Sequence, residues 1–477
     1  MKNVIKWMSL LLVIAVMLPM MAACNKEKPV NNDPQDTTAE TSDEIVGISK
    51  KNYNADFTIL NPSSGLFEKY YWSEDMSENT NISVANYNRE DAIEQHLGIE
   101  ILHETYDIGE GVLYQKIEQS ILAGDDTYQF VMTHSFQDLV SMMTSDFLVD
   151  LQDISAVSLN NEYWNTEIME SLQYRGGMYL GSSSFILHRP TFILFNKTMA
   201  EAYEGVSVDA LYQHVRDKSW TIDQMFTYAQ LVDISLNNTL ANPMDGTYGF
   251  VSDMNWEMCS LATASGYIHV STNSEGLYEL KPFNETIFNI FKKVVAITDS
   301  NYFYGWNWDQ TDKILDMDTG RAFFSTASVE VMIDQMLNSE VPLGVLPYPT
   351  VAEGMVTKNL DWAGYFIVPN VVRNLELSGE VLELLSYYGE TEIKHEFYDV
   401  LLGLRASKEP QDTEMLELIF DNLAAEPALT FLNSGYSKMA QIFYVIPYMI
   451  TQKQKAMASW YAKYYSAANL ELDRLNN

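Results

Sequence analysis

The groups in this chain that could hold a metal or move a proton are 65 aspartates and glutamates, seven histidines and two cysteines. His96, His103, His134, His188, His214, His269 and His395 never fall at the HxH or HExxH spacing that sets two imidazoles on one face of a strand or helix, so zinc hydrolysis has no ligand pair to build on. Asp316-Met317-Asp318-Thr319-Gly320 opens like a calcium loop, but Ala327 stands at the twelfth position, where a bidentate carboxylate must close the shell. Acid–base work on a glycosidic bond needs two carboxylates facing each other across the substrate. Asp125-Asp126 and Asp316/Asp318 are the obvious pairs, yet among so many acids adjacency arises by chance, and Asp125-Asp126 falls where a predicted helix turns into a strand, a place that favours Asp for its own turn geometry. Asn61-Pro62-Ser63-Ser64-Gly65 and Gly181-Ser182-Ser183-Ser184-Phe185 each lack one glycine of a GxSxG nucleophile elbow. Gly109-Glu110-Gly111 lacks the third glycine of a dinucleotide fingerprint, and no P-loop lysine motif is present. On the residues alone, catalytic side chains, metal ligands and cofactors are all read as none.

What the chain does carry is aromatic side chains near predicted loops. Phe, Trp and Tyr make up 12% of it, with 29 tyrosines and 9 tryptophans. They gather at Tyr70-Tyr71-Trp72, Tyr163-Trp164, Trp256, the run from Tyr302 to Trp308, and Trp362-Ala363-Gly364-Tyr365. Flat rings suit the apolar faces of sugars, with Asn, Asp, Ser and Arg supplying hydrogen bonds to the hydroxyls. Trp306, between Gly305 and Asn307, is read as a candidate stacking platform, whereas a single aromatic elsewhere is more often core. Asp and Glu outnumber Lys and Arg 65 to 29, a net charge of −36. A phosphate backbone is gripped by basic surface, so nucleic acid is excluded as a partner, and electrostatic adsorption to anionic lipid is disfavoured for the same reason.

Lys2 and Lys6 accompany an apolar stretch over 7–18, the length of a signal-peptide core and short of the roughly 20 residues a spanning helix needs. Met20-Met21-Ala22-Ala23-Cys24 follows and resembles the lipobox of bacterial lipoproteins, where the thiol is diacylated and the chain is cut just before it. Residues 1–23 are therefore expected to be a lipoprotein signal peptide and Cys24 the lipidated residue. Two acyl chains, at roughly 0.8 kcal/mol per buried CH₂, anchor stably where one does not. Residues 24–52, rich in Asn, Asp, Thr and Lys, read as the lipidated cysteine and a flexible tether. With Cys24 acylated, Cys259 has no disulfide partner, and its apolar, helix-like setting predicts a buried, inert thiol.

These residues need elements to position them, and from Tyr53 onward strand-like and helix-like segments alternate, which predicts α/β construction. Strands are expected over 56–60, 99–102 and 128–133, with a helix over 88–96 closed by Gly98. Another helix, whose apolar stripe is Val112, Leu113, Ile117, Ile121 and Leu122, stops at Gly124. Thr221 and Gln224 form a capping box that starts a helix. The segments 248–251, 321–325, 343–349 and 365–369 read as strands and 329–337 as a helix. The last hundred residues read as mainly helical, over 380–388, 412–420 and 452–475.

In this order, several short stretches resemble the family 1 extracellular solute-binding proteins of bacterial ABC importers, in a lipoprotein branch common in Gram-positive bacteria. They are Asn88-Arg89 to Gly98-Ile99, Ile117 to Val131, Phe195-Asn196-Lys197, Trp220-Thr221-Ile222-Asp223, Tyr248-Gly249-Phe250, Thr319 to Phe324, Gly344 to Pro349, and Ile367-Val368-Pro369 followed by Glu380 to Glu383. The resemblance covers nearly all of the chain after Cys24. One departure is 233–245 (DISLNNTLANPMD), where relatives often carry a calcium-loop-like run.

The resemblance implies an α/β, two-lobed periplasmic-binding-protein-like (type II) fold with an interlobe ligand cleft. Lobe 1 would be 53–188 plus 344–395 and lobe 2 189–343 plus 396–477. It further implies a monomeric receptor, not an enzyme, anchored through lipid at the outer face of the bacterial cytoplasmic membrane. There it would close on a small-molecule solute, first of all a carbohydrate, and deliver it to the transmembrane subunits of an ABC permease. By analogy, Asn61, Ser63, His134, Ser135, Ser182 and Ser183 line the cleft from one lobe. Trp256, Ser325 and Thr326 line it from the other, with Trp362 and Tyr365 near the return crossing. The rival readings are an extracellular glycan-degrading enzyme, which would turn a glycan over, and a surface glycan-binding scaffold, which would not close. A peptide or amino-acid-like solute is the alternative cargo.

Overall fold

The computed structural model describes residues 44–63, 81–134, 137–254, 257–306, 317, 320–329, 332, 336, 339, 341–362, 364–398, 409–432, 434, 436–444, 446 and 456–477. Cys24, Ser135, Trp256, the expected signal peptide and most of the tether lie outside these residues, as does most of the helix expected over 329–337.

In chain order, β1 (Glu44–Ile45) and β2 (Ile48–Ser49) lead into β3 (Ala55–Ser63), β4 (Ile99–Asp107) and β5 (Phe130–His134). A second run holds β6 (Thr191–Asn196), β7 (Tyr248–Asp253), β8 (Val270–Thr272), β9 (Tyr278–Leu280), β10 (Phe303–Trp306), β11 (Ala322–Ser328) and β12 (Leu343–Leu346). Then come β13 (Asn359–Leu360), β14 (Gly364–Ile367) and β15 (Leu423–Ala424). Two main sheets result, in the orders β14-β5-β3-β4 and β10-β7-β11-β6-β12. In the first, β3 runs parallel to both β4 and β5, and β14 is antiparallel to β5. In the second, β7 runs parallel to β10 and β11, while β6 runs against β11 and β12.

The apolar pattern explains where each strand sits. Alternation at the start of β4 buries Ile99 and Ile101 and leaves Glu100 and Leu102 exposed, as suits an edge strand, while Tyr106 near its end is buried on the opposite face. By contrast β5, β6 and β7 are buried along their whole length and take interior positions. Edge strand β14 is also fully buried, because Gly181 pairs with Phe366 beyond it. Only glycine fits there, since a Cβ on Gly181 would stand 2.0 Å from the Phe366 ring. The helix Val112–Ala123 buries Leu113 and Ile117 and ends on Gly124 at φ 65°, the left-handed turn that a glycine accommodates. Thr221 caps the helix Ile222–Ala229 by accepting from the Gln224 amide at 3.2 Å. Cys259 is buried, its thiol pushed well up by burial and donating to the Phe443 carbonyl at 3.5 Å.

Two buried carboxylates fasten the helices that follow to their sheets. Glu383, on the helix Leu375–Tyr388, accepts from Tyr163, from Trp164 Nε1 at 3.1 Å, from Asn161 Nδ2 at 2.6 Å and from the Ser158 amide at 3.1 Å. Asp412, on the helix Pro410–Phe420, accepts from Lys197 Nζ at 2.7 Å, from the Val345 amide at 3.0 Å and from Tyr212. Ser378 on the first helix also donates to the Gln129 carbonyl just before β5 at 3.3 Å, whereas the Val345 amide ties the second helix to β12 of the five-stranded sheet.

Three described segments lie between elements of the two sheets: 187–190 before β6, 359–362 before β14, and a third crossing described over Gly389–Tyr398, after the helix Leu375–Tyr388. The last begins π-helical over Gly389–Ile393, where a Cβ on Gly389 would stand 2.4 Å from the Phe185 amide nitrogen.

Candidate functional site

In open α/β sheets ligands bind beyond the carboxyl ends of the strands. In the first sheet those ends carry Ser63, Asp107 and His134, beside Gly364 at the start of β14. In the second they carry Asp253, Trp306 and Ser328, beside Thr191 at the start of β6. Gly364 follows the second crossing and Thr191 follows the first, so both edges open at the crossings.

The crossings are clasped to each other. Pro190 and Asp361 form an antiparallel bridge, and the Trp362 amide donates to the Arg189 carbonyl at 3.2 Å. The Asp361 carboxylate accepts from the Arg189 amide at 2.8 Å and meets His188 Nδ1 at 2.6 Å. The His188 amide in turn donates to the Tyr398 hydroxyl at 2.9 Å, which draws in the third crossing.

At the first sheet's edge His134 is 2% exposed, and burial first, then the Arg189 charge, hold its pKa well below the usual histidine value. It is therefore a neutral hydrogen-bonding ring at ordinary pH. Across the crossings, the Thr326 hydroxyl donates to Glu257 and lies 3.0 Å from Ser252 Oγ, which itself donates to the Asp253 carbonyl at 2.9 Å. Ser325, one residue earlier on β11, donates to the Thr326 carbonyl at 3.0 Å and is buried in the sheet. Hydroxyls, carboxylates, a neutral imidazole and a guanidinium can together bind a polyhydroxylated solute.

The remaining expected residues divide. Ser63 is on the edge and donates to Asp107 Oδ1 at 3.2 Å. Asn61 is buried just inside it, with Nδ2 donating to the Ile59 carbonyl at 3.3 Å and lying 3.0 Å from His103 Nδ1. The hydroxyls of Ser182 and Ser183 are already engaged, the first by Asn165 Nδ2 at 3.2 Å and the second by Ser386 of the helix Leu375–Tyr388 at 2.8 Å. Trp362 packs edge-on to Phe443 at 6.2 Å, and Tyr365 is buried in the core with its hydroxyl pKa pushed up by burial. Trp306 ends β10 at the second sheet's edge. Sequence reasoning did not reach Arg189, His188, Asp361, Asp253 or Glu257. Their signal was position only: Arg189 and His188 directly precede Pro190, Asp361 adjoins Trp362, and Glu257 adjoins Trp256.

Among the described residues no group of three His, Cys, Asp or Glu could hold a metal ion, and no helix is long and apolar enough to cross a membrane. In the 233–245 segment, Asn237 closes the loop with its own amide, accepting from the Thr247 amide at 3.0 Å and donating to the Thr247 carbonyl at 2.8 Å.

Neither a protein-family model nor a curated relative matches the sequence. A solved structure does match: the ABC substrate-binding protein Lmo0181 from Listeria monocytogenes in complex with cycloalternan, with a TM-score of 0.56 over 88% of this chain and 98% of that one, at 13% identity. The fold is that of an ABC substrate-binding protein. At this identity the likeness concerns the fold and carries no side-chain assignment.

Proposed function

We propose that this chain is the lipid-anchored substrate-binding protein of an ABC importer. It takes a carbohydrate, an oligosaccharide first of all, between two lobes and passes it to the permease. The observation that carries this reading is the pair of strand-end edges opening at crossings clasped by Asp361, an arrangement suited to hinged closure on a solute. Cycloalternan in the Listeria protein supports a sugar cargo, and the match to a binding protein supports capture. Lobe 1 is built on the first sheet and lobe 2 on the second. Because β12 pairs with β6 inside the second sheet, we place the return crossing at 359–362 rather than at 343/344. Closure needs no chemical step; contacts made to both lobes at once shift an open–closed equilibrium. The anchor is Cys24, which holds the protein at the outer face of the bacterial cytoplasmic membrane.

Thermal unfolding of the lipid-free piece from about Lys50 onward, against mono- and oligosaccharides, amino acids and short peptides, tests the reading. A ligand at 100 times its Kd adds about 2.7 kcal/mol to the native state. A raised midpoint with one sugar class and no product formed is the expected result. A response only to peptides changes the cargo, and glycan consumption or silence across the panel overturns the receptor reading. Trp256→Ala is expected to weaken binding of the sugar so found. Cys24→Ala is expected to release the protein into the medium, and retention at the membrane would refute lipidation.

A further inference from the structure

A cavity of about 670 Å³ lies against the crossings, and none of its lining residues belongs to the strand-end edges. The Arg189 charge reaches His134 at the strand ends, whereas the adjacent His188 is part of the cavity wall. The opposite walls are Glu390, Lys394 and Tyr398 of the third crossing and Leu416 and Phe420 of the helix Pro410–Phe420. A volume of this size is in the range of small-molecule sites, about 300–1,000 Å³.

Its chemistry is one-sided. Ile186, Leu416 and Leu423 give an apolar floor, and Tyr398 meets Phe420 edge-on with centroids 4.4 Å apart. Four carboxylates line it, Glu162, Glu390, Glu417 and Asp421, against one lysine. That lysine, Lys394, is paired with Glu390 at 2.8 Å, and Glu390 also accepts from Ser184. Glu162, Glu417 and Asp421 have no cationic partner among the described residues, and Glu417 and Asp421 stand one helical turn apart on the same face. Separated carboxylates over methylene-compatible apolar and aromatic surface match a chain of ammonium groups joined by short alkyl spacers. The ammonium groups pair with the acids or lie over the ring faces, and the spacers cover the floor.

We propose that this cavity is a second ligand site, distinct from the interlobe edge, and that it takes a di- or triamine. Its walls come from the first and third crossings, which are themselves joined where the His188 amide meets the Tyr398 hydroxyl. An occupant therefore binds one arrangement of the crossings better than another and is coupled to lobe closure, reciprocally with cargo. The coupling rests on the two-lobe receptor reading; the binding does not.

The test is calorimetric titration of the full chain with spermidine, next to the Glu417→Gln/Asp421→Asn double variant and a remote control, Glu204→Gln/Glu275→Gln. The expected result is saturable single-site binding that weakens at least tenfold in the cavity variant, keeps its affinity in the control, and leaves the thermal midpoints of both unliganded variants unchanged. No saturable heat, or an equal loss in the control, overturns the site, since the second outcome marks diffuse attraction to an acidic chain. Small-angle scattering with and without spermidine reads the coupling: a changed radius of gyration supports it, and binding without a change in shape overturns it. Spermidine binding alongside silence across the sugar panel would refute the receptor reading and leave the site standing. Sugar binding without spermidine binding would do the reverse.

Discussion

The two faces of the first crossing carry opposite chemistry on adjacent residues. Arg189 serves the strand-end face, where its charge helps to hold His134 neutral among the edge groups. His188 serves the other face, where it stands in the wall of an acid-rimmed cavity with an apolar floor. Adjacent residues on an extended chain point to opposite sides, so a single-residue step is enough to reverse the direction of a side chain. What joins the faces is Asp361, 4% exposed, whose carboxylate takes the backbone amide of one residue and the ring of the other. A ligand on either face therefore acts on the same clasp.

Asp361→Ala should give the largest effect, because it removes that clasp and leaves the Arg189 amide and the His188 ring without their buried acceptor. A loss of about 2–4 kcal/mol in denaturant unfolding is expected, from unsatisfied buried donors together with a broken charge-assisted bond. A loss below about 0.5 kcal/mol would mean that the crossings are held by packing alone. Arg189→Ala should separate the faces. Cargo affinity is expected to fall about tenfold, near 1.4 kcal/mol, while spermidine affinity at the cavity stays within twofold. Equal losses at both sites would show that the side chain supports the crossing as a whole and that the two faces are not independent.

The parts of this arrangement that follow local rules were legible in the sequence. The strands over 56–60, 99–102 and 128–133 were marked by their apolar runs, Gly124 and Thr221 marked helix ends, and the setting of Cys259 indicated a buried thiol. The clasp was not legible, because its partners are far apart in the chain: 173 residues separate His188 from Asp361, and 215 separate Lys197 from Asp412. No spacing rule joins such residues before the sheets do. Aromatic and hydroxyl content near loops was the weakest guide. Trp362 and Tyr365 have the composition of a sugar platform but bury their rings against Phe443 and in the core, and Ser182 and Ser183 look like loop hydroxyls but bond to Asn165 and Ser386.

The smallest expected effect is a pH dependence, and it sets two residues of one loop against each other. His134 ends β5 and Asp138 precedes the helix Leu139–Thr144, and both are displaced from their ordinary values chiefly by burial. For His134 the folded pKa is depressed below 6.5, so its contribution to stability is present above that value and is lost as the pH falls through it toward the folded pKa. For Asp138 the folded pKa is raised from 3.8 to about 6, so its contribution is present below 3.8 and is lost as the pH rises through about 6. Between those limits the two act in opposite directions, and the native chain should show a shallow stability profile there. Measured by denaturant midpoint, His134→Gln should remove the loss on the acid side of 6.5. Asp138→Asn should instead remove the decline between 3.8 and 6 and leave the histidine's acid loss in view. If His134→Gln leaves the acid limb as steep as before, the ring is protonated in the folded chain, and the strand-end face that Arg189 serves would carry charge where a neutral hydrogen-bonding surface is expected.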